Sequence, residues 1–570
     1  MSELTLVELL AKQRDRGLTD SEQKLLNQKL SNLDVVASEK GALDLRPTGN
    51  RTYGQYNFYI DWAGDGNFSS AYDNLSSRFI SADIMRGLSG ENTYAAIPAQ
   101  IEIQLDNTDN YLASDNLDSP ISAYILSTTK KPCRLDIVVN GTTYQQFYGW
   151  VKEVASNPST HGRKMATVVV DDLLGRMKSI PMISSMRTDA TETSVLAMAM
   201  AGPTPAYYGS CCYGAAFYGG TGVYLGAEEG TLYGQALYGA RTAIYTHDHE
   251  IQFAFDAAAD SFAYVGDTWK ESETSELDAI QDIMRSCLGV FYVNRRGKPI
   301  YRARTYRPLN ASTSDWSGSG DTKTMKVDAV GLQDETLYNE VQLALRQRKA
   351  GTAASILWTL RDTPTVNAYS TLTYVVGFTD PVTGSTCGCL NGVTPVLATD
   401  YTNNANLVVS VFWRAADAVV QVYNSSAGAI ALTLLQLRGT PITNLDQTLF
   451  KKTGTTSPKK TRWHDAPLLS NSISASSYVD WLYSSLSLFT DKARQVTITP
   501  GSATDLEQVA QLDVNRRVTL IDGSIAFVNW VHHSIQPGSH TVTLGLSPAI
   551  SSTMWILGTS QLGVDTALGV

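Results

Sequence analysis

The sequence predicts a mainly β protein with some helix, an α+β chain of several domains. Three observations predict it. Short apolar or alternating stretches recur every 10 to 20 residues with polar turns between them, the spacing of antiparallel sandwiches and barrels. Helical periodicity is confined to the N-terminus and to two segments near residues 280 and 480. The 570 residues are 43% apolar, enough for several cores, and about 150 residues per domain suggests three to five domains.

The elements follow in order. Leu4, Val7 and Leu10 share a helical face, Gly17 can end that helix, and Thr19 with Glu22 forms a capping box before Leu25, Leu26 and Leu30. This predicts an N-terminal helical arm over 1–40, docked on another molecule or capping the chain's own first domain. Strands are predicted at Tyr56–Ile60, Arg78–Met85, Ala99–Leu105, Leu135–Val139, Thr142–Val151 and Met165–Val170.

Residues 203–248 break the pattern. Tyr-Gly recurs at Tyr208, Tyr213, Tyr218, Tyr233 and Tyr238, in steps of five within each run. A step of five fits neither strand nor helix, so this is an insert: a channel-lining or surface loop, or low-complexity chain without a partner.

Over 274–287, Leu277, Ile280, Met284 and Cys287 mark a helix with Thr274 or Ser275 as cap and Gly289 as stop. Val290–Val293 and Ile300–Arg304 then read as a hairpin, which gives an α+β helix-hairpin domain over 250–310. Strands at Ile356–Leu360, Leu372–Phe378, Leu407–Trp413, Val419–Tyr423 and Ile430–Leu437 predict an inserted β-sandwich over 353–438. A helix over Ser474–Arg494 presents Tyr478, Trp481, Leu482, Leu486 and Phe489. The last strands are Val496–Ile498, Val518–Leu520, Ile525–His533 and Thr541–Leu546.

Composition excludes some functions. The formal charge of −10 argues against a dedicated phosphate-backbone binder, although nucleic acid can slide past such a wall. No segment has the roughly 18 apolar residues of a membrane helix. MSELTLVELLAKQRDRG has no secretory core, so the expectation is synthesis in a cytoplasm. Six cysteines, with Cys211–Cys212 adjacent and Cys387–Gly388–Cys389 lacking a distant pair, predict free thiols.

Catalytic signatures are missing: there is no GxxxxGK[ST], GxSxG, HExxH, or GxGxxG opening a helix. His247–Asp248–His249–Glu250 puts two imidazoles on one strand face but lacks the further ligands zinc needs. His532 and His533 point to opposite faces of a strand and cannot chelate together. Asp61–Gly66 has Ala63 and Tyr72 where a calcium loop needs oxygen ligands, and Asp106–Asn110 is turn chemistry. Asp171–Asp172 is placed to cap a helix. No catalytic residue, cofactor or metal ligand is assigned.

Whole segments resemble one family. LSSRFISADIMRGLSGENTYAAIPAQIEIQLDNTDNYLASDNLDSP (75–120) is similar to the N-terminal region of tail hub proteins of long-tailed bacteriophages, the minor tail or tail-tip baseplate hub proteins. Phe147–Val151 resembles that family's F-x-G-x-V strand, and Val168–Leu174 its A-x-D-x-L element. Ser275–Arg304 resembles its helix and hairpin, Gln333–Val341 its LYNxV strand, and Gly523–Pro548 its closing strand pair. The resemblance covers most of 50–180, 265–345 and 460–550.

The resemblance implies two tail-tube-like β-barrel domains, at 48–200 and at 311–352 with 441–550, and a C-terminal tail over 551–570. It implies a homotrimeric ring that continues or closes the tail-tube channel. The implied partners are a tail tube or distal tail protein on one side and a tip, fibre or tape-measure protein on the other. DNA passes without sequence-specific binding. It implies a structural protein of the virion, not an enzyme. The fold determinants are Gly149 and Trp150, Tyr338 and Asn339, and Pro537 and Gly538. Two other readings stand beside it: a glycan-binding tail protein using Trp413 and Tyr423 of the sandwich, and a tail-associated cell-wall hydrolase.

Overall fold

The computed structural model describes residues 54–64, 67–88, 96–125, 131–157, 164–200, 243–246, 249–252, 254–256, 260–270, 273–309, 315–317, 325–330, 338–455, 458–486, 493–520 and 523–548. The expected N-terminal arm, the Tyr-Gly repeats and the C-terminal tail lie outside these residues, as does His247 of the histidine pair.

The chain is mostly strand. Its first six are β1 (Gln55–Ile60), β2 (Phe79–Leu88), β3 (Ala96–Asp106), β4 (Pro132–Val139), β5 (Thr142–Asn157) and β6 (Met165–Asp171). Alternation makes them: in β6, Ala166, Val168 and Val170 point inward and Met165, Thr167, Val169 and Asp171 outward. Short helices α1 (Leu173–Met177) and α2 (Glu192–Met200) follow, then a ribbon of β7 (Arg187–Thr191) with β8 (Ser261–Val265). Asp172 caps α1, its Oδ1 accepting from Gly175 N at 2.9 Å, as its position suggested.

Helix α3 (Glu276–Cys287) begins with a full capping box between Ser275 and Asp278. It ends with Leu288, not Gly289, in the left-handed conformation, at φ 58°. Gly289 is needed for another reason: a Cβ there would lie 2.5 Å from the Tyr301 ring. The hairpin β9 (Val290–Val293) and β10 (Pro299–Arg302) closes this unit.

The second half contains β11 (Trp316–Ser317), β12 (Met325–Val330) and β13 (Glu340–Ala350). The inserted region follows with β14 (Ser355–Thr359), β15 (Thr371–Gly377), β16 (Gly388–Gly392), β17 (Leu407–Trp413) and β18 (Asp417–Asn424). Its own core contains Leu357, Phe378, Leu407, Val420 and Leu437. The strand expected over Ile430–Leu437 is interrupted: Leu432 donates to Pro364 O, and Leu435 bridges to Tyr401. The chain resumes as β19 (Gln436–Thr453), an 18-residue strand that leaves the insert and pairs with β13. The insert therefore has no break at residue 438.

Next come β20 (Thr461–His464), α4 (Ser472–Leu486), β21 (Ala493–Ile498), α5 (Ala503–Ala510), β22 (Arg517–Thr519), β23 (Ile525–Gln536) and β24 (Ser539–Pro548). Helix α4 does not reach the expected Arg494, which already belongs to β21. Val496 and Ile498 alternate into a core there, and the β24 ladder satisfies the backbone.

Topology is the main finding. One sheet runs β1-β4-β5-β6-β3-β2-β23-β24-β21-β12, with β22 on β23 and β11 on β22. The two regions expected as separate barrels share this sheet through the antiparallel β2–β23 pair, and among the described residues its strand path is open, not closed. Two cores lie behind it, one with Ile84, Ile101 and Val168, the other with Val531, Val542 and Leu544.

Candidate functional site

The six residues singled out in the sequence fall at three places. Gly149 and Trp150 lie on β5. A Cβ at Gly149 would stand 2.4 Å from Asp171 O and 2.5 Å from the Phe147 ring, so glycine is what lets β5 approach β6. Trp150 is buried in the core, edge-on to Tyr148, with the Arg176 guanidinium 4.5 Å from its ring centroid. Tyr338 and Asn339 lead into β13. Asn339 Nδ2 donates to Pro458 O at 2.8 Å and its Oδ1 accepts from Lys460 N at 2.6 Å, which fastens the β19–β20 loop. Lys460 and Arg462 lie over the Tyr338 ring, each 5.5 Å from its centroid. Pro537 and Gly538 form the exposed two-residue turn between β23 and β24, with Gly538 at φ 79°.

The residues that join the regions are different ones. Gly87, at φ 131°, sits opposite Trp530 in the β2–β23 pair; a Cβ there would be 2.4 Å from Asn529 O. Beside it, Arg86 is buried and donates to Gln146 O at 2.7 Å, with Asp513 3.8 Å away. Burial pushes this guanidinium below its ordinary value, and Asp513 opposes the shift. From the β9–β10 turn, Arg295 donates to Gln145 O at 3.2 Å and Ala510 O at 2.9 Å, and its N–H reaches Asp513 at 3.0 Å. Burial lowers Arg295 to about 10. Asp513 thus ties together the first sheet region, the helix-hairpin unit and the second region.

A second buried link crosses the same sheet. His533 Nδ1 lies 3.1 Å from His540 Nε2, and Tyr56 OH lies 3.0 Å from His540 Nδ1. Burial holds His533 well below its ordinary value and His540 at about 3, so both are neutral. His532, on the other face, meets Asp83 at 2.9 Å. The period-two pattern places this histidine pair on opposite faces; nothing local in the sequence places His540 or Tyr56 beside His533.

The solvent face of the shared sheet has an ordered chemistry. Across the strands, Glu153, Val169, Glu102, Asp83, Ser534 and Thr541 form one row. The next runs Asp171, Gln100, Met85, His532, Thr543 and Thr497. Glu102 faces Asp83 directly, a like-charge pair that a sheet gains nothing from locally. Beside them stand the hydroxyls of Ser534, Thr541, Thr543 and Thr497 and the amide of Gln100, with Val169, Met85, His532 and Asp171 between.

Elsewhere, Trp413 is stacked on Phe378 with centroids 5.8 Å apart, while Tyr423 is exposed. Cys133, Cys287, Cys387 and Cys389 are free and buried. Among the described residues no group of three His, Cys, Asp or Glu is arranged to hold a metal ion, and no helix is long and apolar enough to cross a membrane.

No protein-family model matches the chain, and no curated protein matches it either. Solved structures do. It is similar to the 43 kDa tail protein of prophage MuSo2 from Shewanella oneidensis, with 8% identity over 87% of this chain and 98% of that one, and a TM-score of 0.42. It is similar to a tail protein from Neisseria meningitidis MC58, with 9% identity, 87% and 97% coverage, and a TM-score of 0.41. A third is the prophage tail protein gp18 from Listeria monocytogenes EGD-e, with 7% identity, 86% and 94% coverage, and a TM-score of 0.36.

Proposed function

We propose that this chain is a structural hub protein of a bacteriophage tail tip. Copies of it assemble, as a trimer, into a ring around the channel, between the tail tube and the distal tip or fibre proteins. The observation that carries the reading is the single sheet formed by strands more than 400 residues apart in sequence, β2 and β23. The sequence resemblance implies two tube-like units per chain; a shared sheet holds two such units rigidly side by side. Three such chains then present six units around one axis.

The solvent face of that sheet is the pore wall in this reading. Glu153, Glu102 and Asp83 repel phosphates, and Lys152 of the same strand as Glu153 is paired with Asp171 at 3.5 Å. The function needs no covalent step. Tail particles imaged by electron microscopy test it: density for this chain belongs on the tail axis at the tip, and density at the periphery ends the reading. Native mass measurement adds the stoichiometry, with a particle of three 61.9 kDa chains expected.

A further inference from the structure

Two surfaces outside that sheet carry opposite charges around an exposed leucine. The first is the loop after β3. A chain of turns stiffens it, with backbone bonds from Asn110 to Asn107, Ala113 to Asn110, Asn116 to Ala113 and Ser119 to Asn116. Leu112 and Ile121 anchor its ends in the core. Asn116 Nδ2 also donates to Asn110 O at 3.0 Å. This stiff loop holds Leu117 out into solvent, 79% exposed, between the exposed acids Asp115 and Asp118.

The second surface is the open face of the β13–β19–β20 sheet. Val341, Leu343 and Leu345 turn the other way, into the core with Tyr478 and Leu482 of α4. On the open face the register sets Arg346 beside Gln447, Ala344 beside Leu449, and Gln342 between Lys451 and Trp463. Leu449 is 51% exposed and Trp463 63% exposed. Along the strands the order is cation, leucine, cation, at about 7 Å per step. The loop reads acid, leucine, acid.

We propose that the Asp115–Asp118 loop of one copy docks on the Arg346–Leu449–Lys451 face of the next. Leu117 packs against Leu449 and Trp463, and the two acids meet the two cations. The two patches lie at different places on one chain, so the contact is heterologous and repeats around an axis. The braced loop loses little entropy on docking. This inference rests on the ring reading and names its contact.

Charge reversal tests it by native mass spectrometry and sedimentation of the full chain. D115K/D118K, and separately R346E/K451E, each weaken self-association by at least about tenfold, because like charges then meet. The chain carrying all four changes recovers it. Because Lys451 also neutralises Glu340, at 2.8 Å, a second measurement avoids that site: L117C/L449C chains form disulfide-linked multimers that the unmodified chain does not. If both reversed variants assemble at full strength, or the cysteines link only within one chain, the contact is wrong and the ring reading survives. A full chain that stays monomeric at every concentration overturns the contact, and a peripheral position in the tail overturns the ring.

Discussion

Gly87 and Gly149 stand where two strands come closer than any side chain permits. Gly149→Ala drives a methyl into Asp171 O and the Phe147 ring. We expect a loss of about 1–3 kcal/mol in urea denaturation, with Gly87→Ala costing at least as much because its backbone is also left-handed. The buried imidazoles set an acid limit. His533 and His540 stay neutral when folded but protonate when unfolded, so stability is full above about pH 6.5 and falls as pH drops toward 3. The slope reaches about 1.4 kcal/mol per pH unit for each histidine. The charges of Arg86 and Arg295 act on His533 in the same direction. Denaturation midpoints of the double variant His533→Phe, His540→Leu change less between pH 7.5 and 5 than those of the unmodified chain. Glu276 works in the opposite direction. Its two oxygens are buried without a hydrogen-bond partner among the described residues, and burial raises it to about 8. Its unfolded form ionises near 4.3, so the folded state loses ground as pH rises toward 8. Glu276→Gln therefore gains on the order of 3–4 kcal/mol at pH 8 relative to pH 5.

Among the elements, α3 shows local chemistry agreeing with tertiary demand. Its capping box and its apolar face are both written within fourteen residues, and Ser275→Ala is expected to cost about 1 kcal/mol in thermal denaturation. The Pro537–Gly538 turn is similar: replacing Gly538, at φ 79°, by a branched residue costs about 1 kcal/mol without touching any neighbour. These features were legible because period, cap and turn act within a few residues. Strand positions were legible for the same reason, as in β6, β17 and β24. What was not legible is pairing. Nothing in MRGL announces that Gly87 must lie against Trp530, and nothing near 438 shows that β19 continues, because the reason is β13 almost a hundred residues earlier. Helix α4 illustrates the competition: its periodicity extends past Leu486 on paper, but the β24 edge claims 493–498 as strand. The candidate residues divide in the same way. Trp150 is packing, Asn339 is a loop fastener, and the junction formed by Arg86, Arg295 and Asp513 came only with the topology.

At the scale of the whole molecule, that junction makes three regions share one fate. Asp513→Asn leaves Arg86 buried without its counter-charge, and a loss of about 3–5 kcal/mol is expected. Hydrogen exchange should then show protection falling in β5, in the β9–β10 turn and in residues 510–513 together; loss confined to one of them would mean the regions are uncoupled. The inserted region is held differently. Besides its own core it is connected by β19, which spans about 60 Å at the usual rise per residue and keeps its ladder with β13 from Ile442 to Thr453. Tension applied to the insert along that strand loads the ladder in shear, so its rungs resist together instead of opening one by one.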